Sequence, residues 1–392
     1  MKYNFDEIID RRGTMSIKYD FTSEKGMRED VIPMWVADMD FPAPRPVIER
    51  LLQVAAHGIF GYSEAKTEYY RAVQDWYEKH FNWHTEPSWL VRTPGVVFAI
   101  NCAIRAFTNE GDAVLIQPPV YYPFRLAIQN NARTLVTNPL LLKDGHYEID
   151  FADFEEKIRQ NHVKLFILCS PHNPVGRVWK EWELRRMADI CIRHDVLIIS
   201  DEIHSDFVWD QHTHHMLASL DERYLQNSVT ATAPSKTFNI AGLQVSNILI
   251  PNPQLRARYQ KSIDQTGLDS LNVFGLNACI AAYTQGEEWL TQLKAYLAGN
   301  ISFMQQYLQE NLPQLKMIPT EGTYLTWVDF RELGLSESER EDLIINDAGL
   351  WLDSGAMFGS EGEGFERFNI ACPRSILKQA LEQLKDAIQE KE

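Results

Sequence analysis

Lys236 stands in Ala233-Pro234-Ser235-Lys236-Thr237-Phe238-Asn239-Ile240-Ala241-Gly242-Leu243, just after the apolar run Ser228-Val229-Thr230-Ala231. A lysine held in a Ser/Thr- and Gly-rich turn after a strand can carry a carbonyl cofactor as a Schiff base. Two segments precede it: Ser170-Pro171-His172-Asn173-Pro174-Val175-Gly176, then Ser200-Asp201-Glu202-Ile203-His204. Asn173 to Asp201 is 28 residues, and Asp201 to Lys236 is 35. An amide, a strand-end carboxylate and a loop lysine in that order point to a site for pyridoxal phosphate (PLP). That chemistry needs a lysine for the imine, a carboxylate to keep the pyridine nitrogen protonated, donors near the ring hydroxyl and a seat for the phosphate.

Taken singly, each residue has a plainer explanation. A loop lysine is usually a solvated charge. Asp201 follows Val196-Leu197-Ile198-Ile199-Ser200, so it sits where ligands bind open α/β sheets, yet it could also cap a turn. Glu202 could compete for its role, but adjacent side chains on a strand point to opposite faces. Asn173 lies between Pro171 and Pro174, which is ordinary turn chemistry, and Gly176 permits an unusual backbone angle. Thr93-Pro94-Gly95-Val96-Val97 precedes an apolar helix over about 96–107, whose free first-turn N–H groups could seat a phosphate. Tyr121, in Pro118-Pro119-Val120-Tyr121-Tyr122-Pro123, could stack on a pyridine ring or simply pack in a core. Arg374, after Asn369-Ile370-Ala371-Cys372-Pro373, could clamp a substrate carboxylate through two parallel hydrogen bonds.

The elements that must position these residues are legible as a pattern. From about residue 90, short apolar runs alternate with helical stretches. The runs are Val114-Leu115-Ile116, 164–169, 196–200, 228–231 and 246–250, and 180–194 is one of the helices between them. Runs apolar on both faces suit a mostly parallel sheet covered by helices on each side. Residues 1–45 read as irregular, interrupted by Pro33, Pro42 and Pro44, with helices expected at 46–57 and 66–81. Beyond about 285 the pattern changes to a long helix at 287–311, short strands at 324–330 and 367–371, and a terminal helix at 375–390. The expected architecture is α/β, with a large cofactor-binding domain over 46–285 and a smaller α+β domain built from 1–45 plus 286–392.

Composition narrows the classes. With 392 residues, 45% hydrophobic and 23% charged, the chain can bury a sizeable core. Its 54 acidic against 38 basic residues, net −16, argue against broad contact with nucleic acid or anionic membrane. Five scattered cysteines with no CxxC spacing suggest neither a disulfide framework nor a zinc site, so no metal is expected. No apolar run is long enough for a membrane span, and the N-terminal residues carry no apolar signal region, so a cytoplasmic setting is expected. Neither GxGxxG after a strand nor GxxxxGK[ST] is present, which sets aside a nucleotide-binding α/β protein.

In combination the three motifs resemble fold-type I PLP enzymes, the aspartate aminotransferase superfamily. Met34-Trp35-Val36-Ala37-Asp38-Met39-Asp40-Phe41 and Thr93-Pro94-Gly95-Val96-Val97 resemble its cystathionine β-lyase (C–S lyase) branch, the PatB/MalY type. The resemblance runs from about residue 3 to the C-terminus. It implies that Lys236 carries PLP, Asp201 pairs with the pyridine nitrogen, Asn173 bonds the ring oxygen and Tyr121 stacks on the ring. It further implies that the Val96 and Val97 N–H groups and Ser235 hold the phosphate. Tyr62 would reach the phosphate of a neighbouring subunit in a homodimer, and Arg374, with the Ala37 backbone nearby, would bind the substrate carboxylate. Three positions depart from the aminotransferase pattern or from the branch. His204 stands where aminotransferases usually have a tyrosine donating to the ring oxygen. Gln244 stands where many have an arginine on the phosphate. Phe98 stands where the branch often has proline.

The function so implied is β-elimination of cystathionine or another amino-acid thioether, giving a thiol, pyruvate and ammonia. An aminotransferase on the same scaffold and a PLP-fold regulator acting by protein binding are the alternatives. Trp35, Tyr324 and Phe358 are possible rim residues, each more often core by composition.

Overall fold

The computed structural model describes residues 2–209, 211–268 and 270–391. Seven strands form the central sheet: β1 (Leu90–Thr93), β2 (Ala113–Ile116), β3 (Thr134–Thr137), β4 (Leu165–Cys169), β5 (Leu197–Asp201), β6 (Ser228–Thr232) and β7 (Ser246–Leu249). Their order is β1-β7-β6-β5-β4-β2-β3. Only β7 runs antiparallel to its neighbours, β1 and β6. The remaining pairings are parallel. The chain therefore adopts the α/β fold-type I architecture expected from the motifs.

Strand alternation explains why these runs are apolar throughout. In β4, Leu165, Ile167 and Cys169 enter a core shared with the helix Val96–Phe107. Phe166 and Leu168 enter another, shared with the helices Phe151–Asn161 and Glu181–Arg193. A strand covered on both faces must be apolar at every position. All five cysteines are buried and free.

A second, antiparallel sheet comprises β8 (Lys316–Met317), β9 (Leu325–Asp329), β10 (Asp353–Ser354) and β11 (Phe365–Asn369), in the order β8-β9-β11-β10. The long helix Glu287–Asn311 and the terminal helix Arg374–Gln389 pack beside it, within a core that also takes in Phe5, Met34, Met39 and Phe41. Residues 2–44 are mostly irregular, as expected. They contribute a short pairing of Ile32–Pro33 alongside Leu350–Trp351. No helix among the described residues is long and apolar enough to cross a membrane.

The boundaries of the expected elements fall within one residue of expectation, with one consequential exception. The last strand runs from Phe365 to Asn369 rather than 367–371. The apolar run Ile370-Ala371-Cys372 drew the expected strand forward, whereas those residues are irregular, with a bend at Cys372, after the pairing with β9 has ended. Strands β1 and β3 and the hairpin Leu141–Lys143/His146–Glu148 were not marked by the apolar runs. Being short or half-exposed, they carry little hydrophobic signal.

The loop after β4 is held rigidly. Gly176 has φ +73, and an added Cβ there would lie 3.3 Å from the Thr320 Cα. The buried Arg177 bonds Glu183 at 2.8 Å and Glu321 at 3.0 Å, and Glu321 also accepts the Val178 N–H at 2.8 Å. This network ties the Asn173 loop to the segment leading into β9. Replacing Glu321 by Ala leaves a buried guanidinium short of a partner and should destabilise the protein by about 3 kcal/mol. Urea unfolding measures this, and a loss below about 1 kcal/mol would show that the network contributes little to stability.

Candidate active site

Five loops converge above the carboxyl ends of the parallel strands, where open α/β sheets bind ligands. They enclose a cleft of about 430 Å³. From β1 comes Pro94-Gly95 and the start of the Val96–Phe107 helix, from β2 Tyr121 and Tyr122, from β4 Asn173, from β5 Asp201 and His204, and from β6 Ser235 and Lys236. The small sheet adds Asp353 and Arg367, and the N-terminal segment adds Trp35, Val36 and Ala37.

Lys236 is the third residue of the four-residue helix Pro234–Thr237. Its neighbour Thr237 donates to the buried carboxylate of Asp206 at 2.6 Å, which fixes the turn. The Lys236 Nζ donates to the Ala37 carbonyl at 2.7 Å, and the Tyr324 hydroxyl donates to the same oxygen at 3.0 Å. Burial pulls the Lys236 ammonium down to about 8, opposed by Asp38 and Asp201. Asp201 is 4% exposed. It accepts the Ile203 N–H at 3.1 Å, and among the described residues it forms no ion pair. Burial raises its carboxyl to about 7. Glu202 points to the other face of the sheet, bonded to Ser200, His214 and the Leu217 N–H.

Asn173 accepts from the Arg367 Nη1 at 3.0 Å through Oδ1, while its backbone carbonyl accepts the Tyr121 N–H at 3.0 Å. The amide Nδ2 is left to donate elsewhere. His204 is buried, its Nδ1 has no partner, and burial followed by the Lys236 and Arg367 charges lowers its pKa to about 3. Burial therefore favours the neutral ring. Burial raises the Tyr121 phenol well above its usual value. No side chain caps the helix at Val96, so its first N–H groups stay open to the cleft. Gln244 and Phe98 also line it.

The expected residues Lys236, Asp201, Asn173, Tyr121, His204, Val96, Val97, Ser235 and Ala37 are thus brought together. Two are not. Tyr62 is fully exposed on an irregular segment outside this chain's cleft. Arg374 lies elsewhere and is corrected: Pro373 starts the terminal helix, which turns Arg374 toward the helix Glu287–Asn311. There its Nε donates to Asn300 at 2.9 Å, and its guanidinium covers the Tyr296 ring. The arginine in the cleft is Arg367, 3% exposed, with bonds to Asn173, the Trp35 carbonyl at 2.8 Å and Asp353, and with an unpartnered Nε. The two-residue error in the last strand hid it. A buried strand with a charge in its middle, Phe365-Glu366-Arg367-Phe368, was the available signal. Of the rim candidates, Trp35 lines the cleft, while Tyr324 and Phe358 are buried.

A further arrangement escaped sequence reading. Asn239, three residues after Lys236, binds the Met39 N–H at 3.0 Å and the carbonyls of Met39 and Phe41 at 2.9 and 2.8 Å. Asn369 donates to the carbonyls of Val36 and Asp38. Arg11 and the buried Lys18 pair with Asp38 and Asp40. The lysine motif and the Trp35–Phe41 segment are therefore clasped side by side.

This donor set fits PLP. Asp201 is a buried carboxylate lacking a cation, Lys236 is an amine at the cleft floor, and an uncapped helix start lies beside Ser235. Comparison with known proteins agrees. Residues 29–384 match the family model for aminotransferase class I and II, and the chain belongs to that family. Within it the chain is a homologue of cystathionine β-lyases and C–S lyases. It is 43% identical to the cystathionine β-lyase PatB of Bacillus subtilis over 98% of this chain and 100% of that protein. It is 33% identical to the protein MalY of Escherichia coli, covering 98% and 99%. Cystalysin of Treponema denticola, whose crystal structure contains pyridoxal 5'-phosphate, superposes with TM-score 0.97 at 38% identity over the full length of both chains. The cofactor of this enzyme is PLP.

Asp201 holds its proton up to about pH 7 when folded, against 3.8 for the ordinary carboxyl. Between those values the folded chain binds more protons than the unfolded one, so stability of the cofactor-free protein falls as pH rises through that window. Asp201→Asn should remove this fall, which amounts to about 4 kcal/mol at most. Urea unfolding of both cofactor-free proteins near pH 5 and near pH 8 is the measurement. Equal pH slopes would rule out Asp201 as the source.

Proposed function

We propose that this enzyme catalyses β-elimination on cystathionine or a related cysteine S-conjugate, releasing a thiol, pyruvate and ammonia. The observation that carries the reading is the juxtaposition of Lys236, Asp201 and Arg367 in one cleft, on a chain similar to C–S lyases over its whole length.

Lys236 would hold the cofactor, Asp201 would face its ring nitrogen, and the Asn173 amide would donate to its ring oxygen. Tyr121 and His204 would flank the ring, and the N–H groups of Val96 and Val97 with the Ser235 hydroxyl would take the phosphate. Bound PLP supplies an electron sink for the pair left on Cα when a proton departs. Arg367 binds the substrate carboxylate and fixes which Cα bond faces Lys236. Burial draws the Lys236 pKa down to about 8, so that once the substrate amine has displaced it from the cofactor, more of it would be free base to take the Cα proton than of an ordinary lysine. The electron pair forms the Cα–Cβ double bond as the thiolate leaves Cβ, and the enamine released hydrolyses to pyruvate and ammonia.

The same proposal includes a homodimer. Ile59, Phe60 and Tyr62 are exposed on one segment, which supports Tyr62 reaching a neighbouring subunit's phosphate. It also includes the division into a large domain over 46–285 and a small one of 1–45 plus 286–392. In support, the central sheet ends at Leu249, and every strand of the second sheet lies beyond 285.

Incubation with cystathionine should yield homocysteine and pyruvate in equal amounts, and Lys236→Ala should abolish both. Consumption of a 2-oxo acid without ammonia release would favour an aminotransferase instead. Arg367→Lys should lower kcat/KM about a hundredfold, mostly through KM, because a point charge replaces a planar fork. Arg374→Lys should change it less than about threefold. The reverse ranking would restore Arg374 as the carboxylate ligand.

A further inference from the structure

Four charged side chains line the cleft: Lys236, Asp201, Arg367 and Asp353. The proposed chemistry employs the first three and leaves Asp353 without a task. Asp353 opens β10 and lies directly across from Arg367 in the antiparallel pairing with β11. The two side chains, 5% and 3% exposed, form an ion pair. Among the described residues Asp353 bonds only Arg367. Its charge also reaches Tyr121 and Tyr122, whose phenols it helps to raise. Trp35, stacked on Trp351 with centroids 4.5 Å apart, supplies an aromatic wall nearby, and its carbonyl accepts from Arg367.

The charge balance of this cleft has a consequence for ligands. An amino acid brings one carboxylate, which Arg367 takes. A second carboxylate farther along its side chain, with no ammonium beside it, would find no cation on this chain left for it in the cleft once Lys236 holds the cofactor. It would instead face Asp353 in a poorly solvated space, where like charges repel strongly. A neutral side chain meets no such penalty, and a distal ammonium would gain a partner.

We propose that Asp353 is a specificity-determining residue that filters substrates by side-chain charge. The cleft then accepts α-amino acids whose side chain is neutral, zwitterionic or cationic, and rejects those whose side chain is net anionic. This rests on Arg367 as the carboxylate ligand, and it deepens the proposed function by naming the substrate class. A zwitterionic or neutral thioether passes the filter, whereas aspartate and glutamate do not. The competing explanation is that Asp353 only orients Arg367, in which case all amino acids would suffer equally from its loss.

Three five-carbon ligands without a leaving group on Cβ separate these outcomes: L-norvaline (neutral), L-glutamate (anionic) and L-ornithine (cationic). Their dissociation constants for the PLP-loaded enzyme can be read by titration calorimetry, so the result does not depend on elimination taking place. In the wild type, glutamate should bind at least about tenfold more weakly than norvaline, and ornithine no more weakly than norvaline. In Asp353→Asn the gap between glutamate and norvaline should shrink to within about threefold, chiefly because glutamate tightens. Glutamate binding as well as norvaline in the wild type would overturn the proposal without need of a variant. Equal weakening of all three ligands in Asp353→Asn would reduce Asp353 to a support for Arg367. If the filter is seen but cystathionine yields no pyruvate, the lyase reading fails and the filter stands. If norvaline binding is unchanged by Arg367→Lys, the assignment of the carboxylate ligand fails first.

Discussion

The structure depends on keeping a carboxylate and an amine dry and close without letting them neutralise each other. Asp201 ends the buried strand β5, and Lys236 rises from the turn after the neighbouring strand β6. Each is shifted against its charged form by burial, Asp201 upward and Lys236 downward. Left to itself this arrangement costs stability, because desolvated charges are expensive. It makes sense when a cationic ring nitrogen completes the pairing with Asp201. The parallel sheet meets the cost by burying apolar residues on both faces, while the two groups sit at the carboxyl ends of neighbouring interior strands.

Around that pair, much of the surrounding polar structure serves to hold short segments still. The Trp35–Phe41 segment has no regular structure of its own. It is held by Asn239 from one side, Asn369 from another, and the Arg11 and Lys18 ion pairs from a third. Lys236 and Tyr324 share its Ala37 carbonyl. A loop bonded this way can present backbone groups as reproducibly as a strand does, which suits recognition of a small substrate. The Asn173 loop is held in the same manner by Arg177, Glu183 and Glu321.

In the proposed reading, cofactor and substrate are handled by different parts of the chain. Within one chain, the groups proposed for the cofactor come from the loops at the ends of central-sheet strands. The groups proposed to face the substrate, Arg367, Asp353, Trp35 and Ala37, come from the small sheet and the N-terminal segment. Families that share a cofactor and diverge in reaction can vary the second set while leaving the first intact. Here the second set pairs a single guanidinium with a carboxylate beside an aromatic wall.

The sequence by itself determined the fold class, the strand runs of the sheet interior and most of the residues that line the cleft. Strands apolar on both faces and loops built around Asn173, Asp201 and Lys236 are local patterns, and local patterns survive in one dimension. It could not determine which arginine enters the cleft. Arg367 and Arg374 are seven residues apart, and the choice turns on where β11 stops pairing with β9 and where Pro373 starts a helix. A shift of two residues in that boundary moves one guanidinium into the site and the other against Tyr296. The bonds from Asn239 to the Met39 backbone and from Arg367 to Asp353 likewise join residues far apart in sequence or on different strands. Only tertiary structure decided them, because a hydrogen bond or an ion pair requires proximity in space, and hydrophobic periodicity carries no record of which distant polar groups will meet.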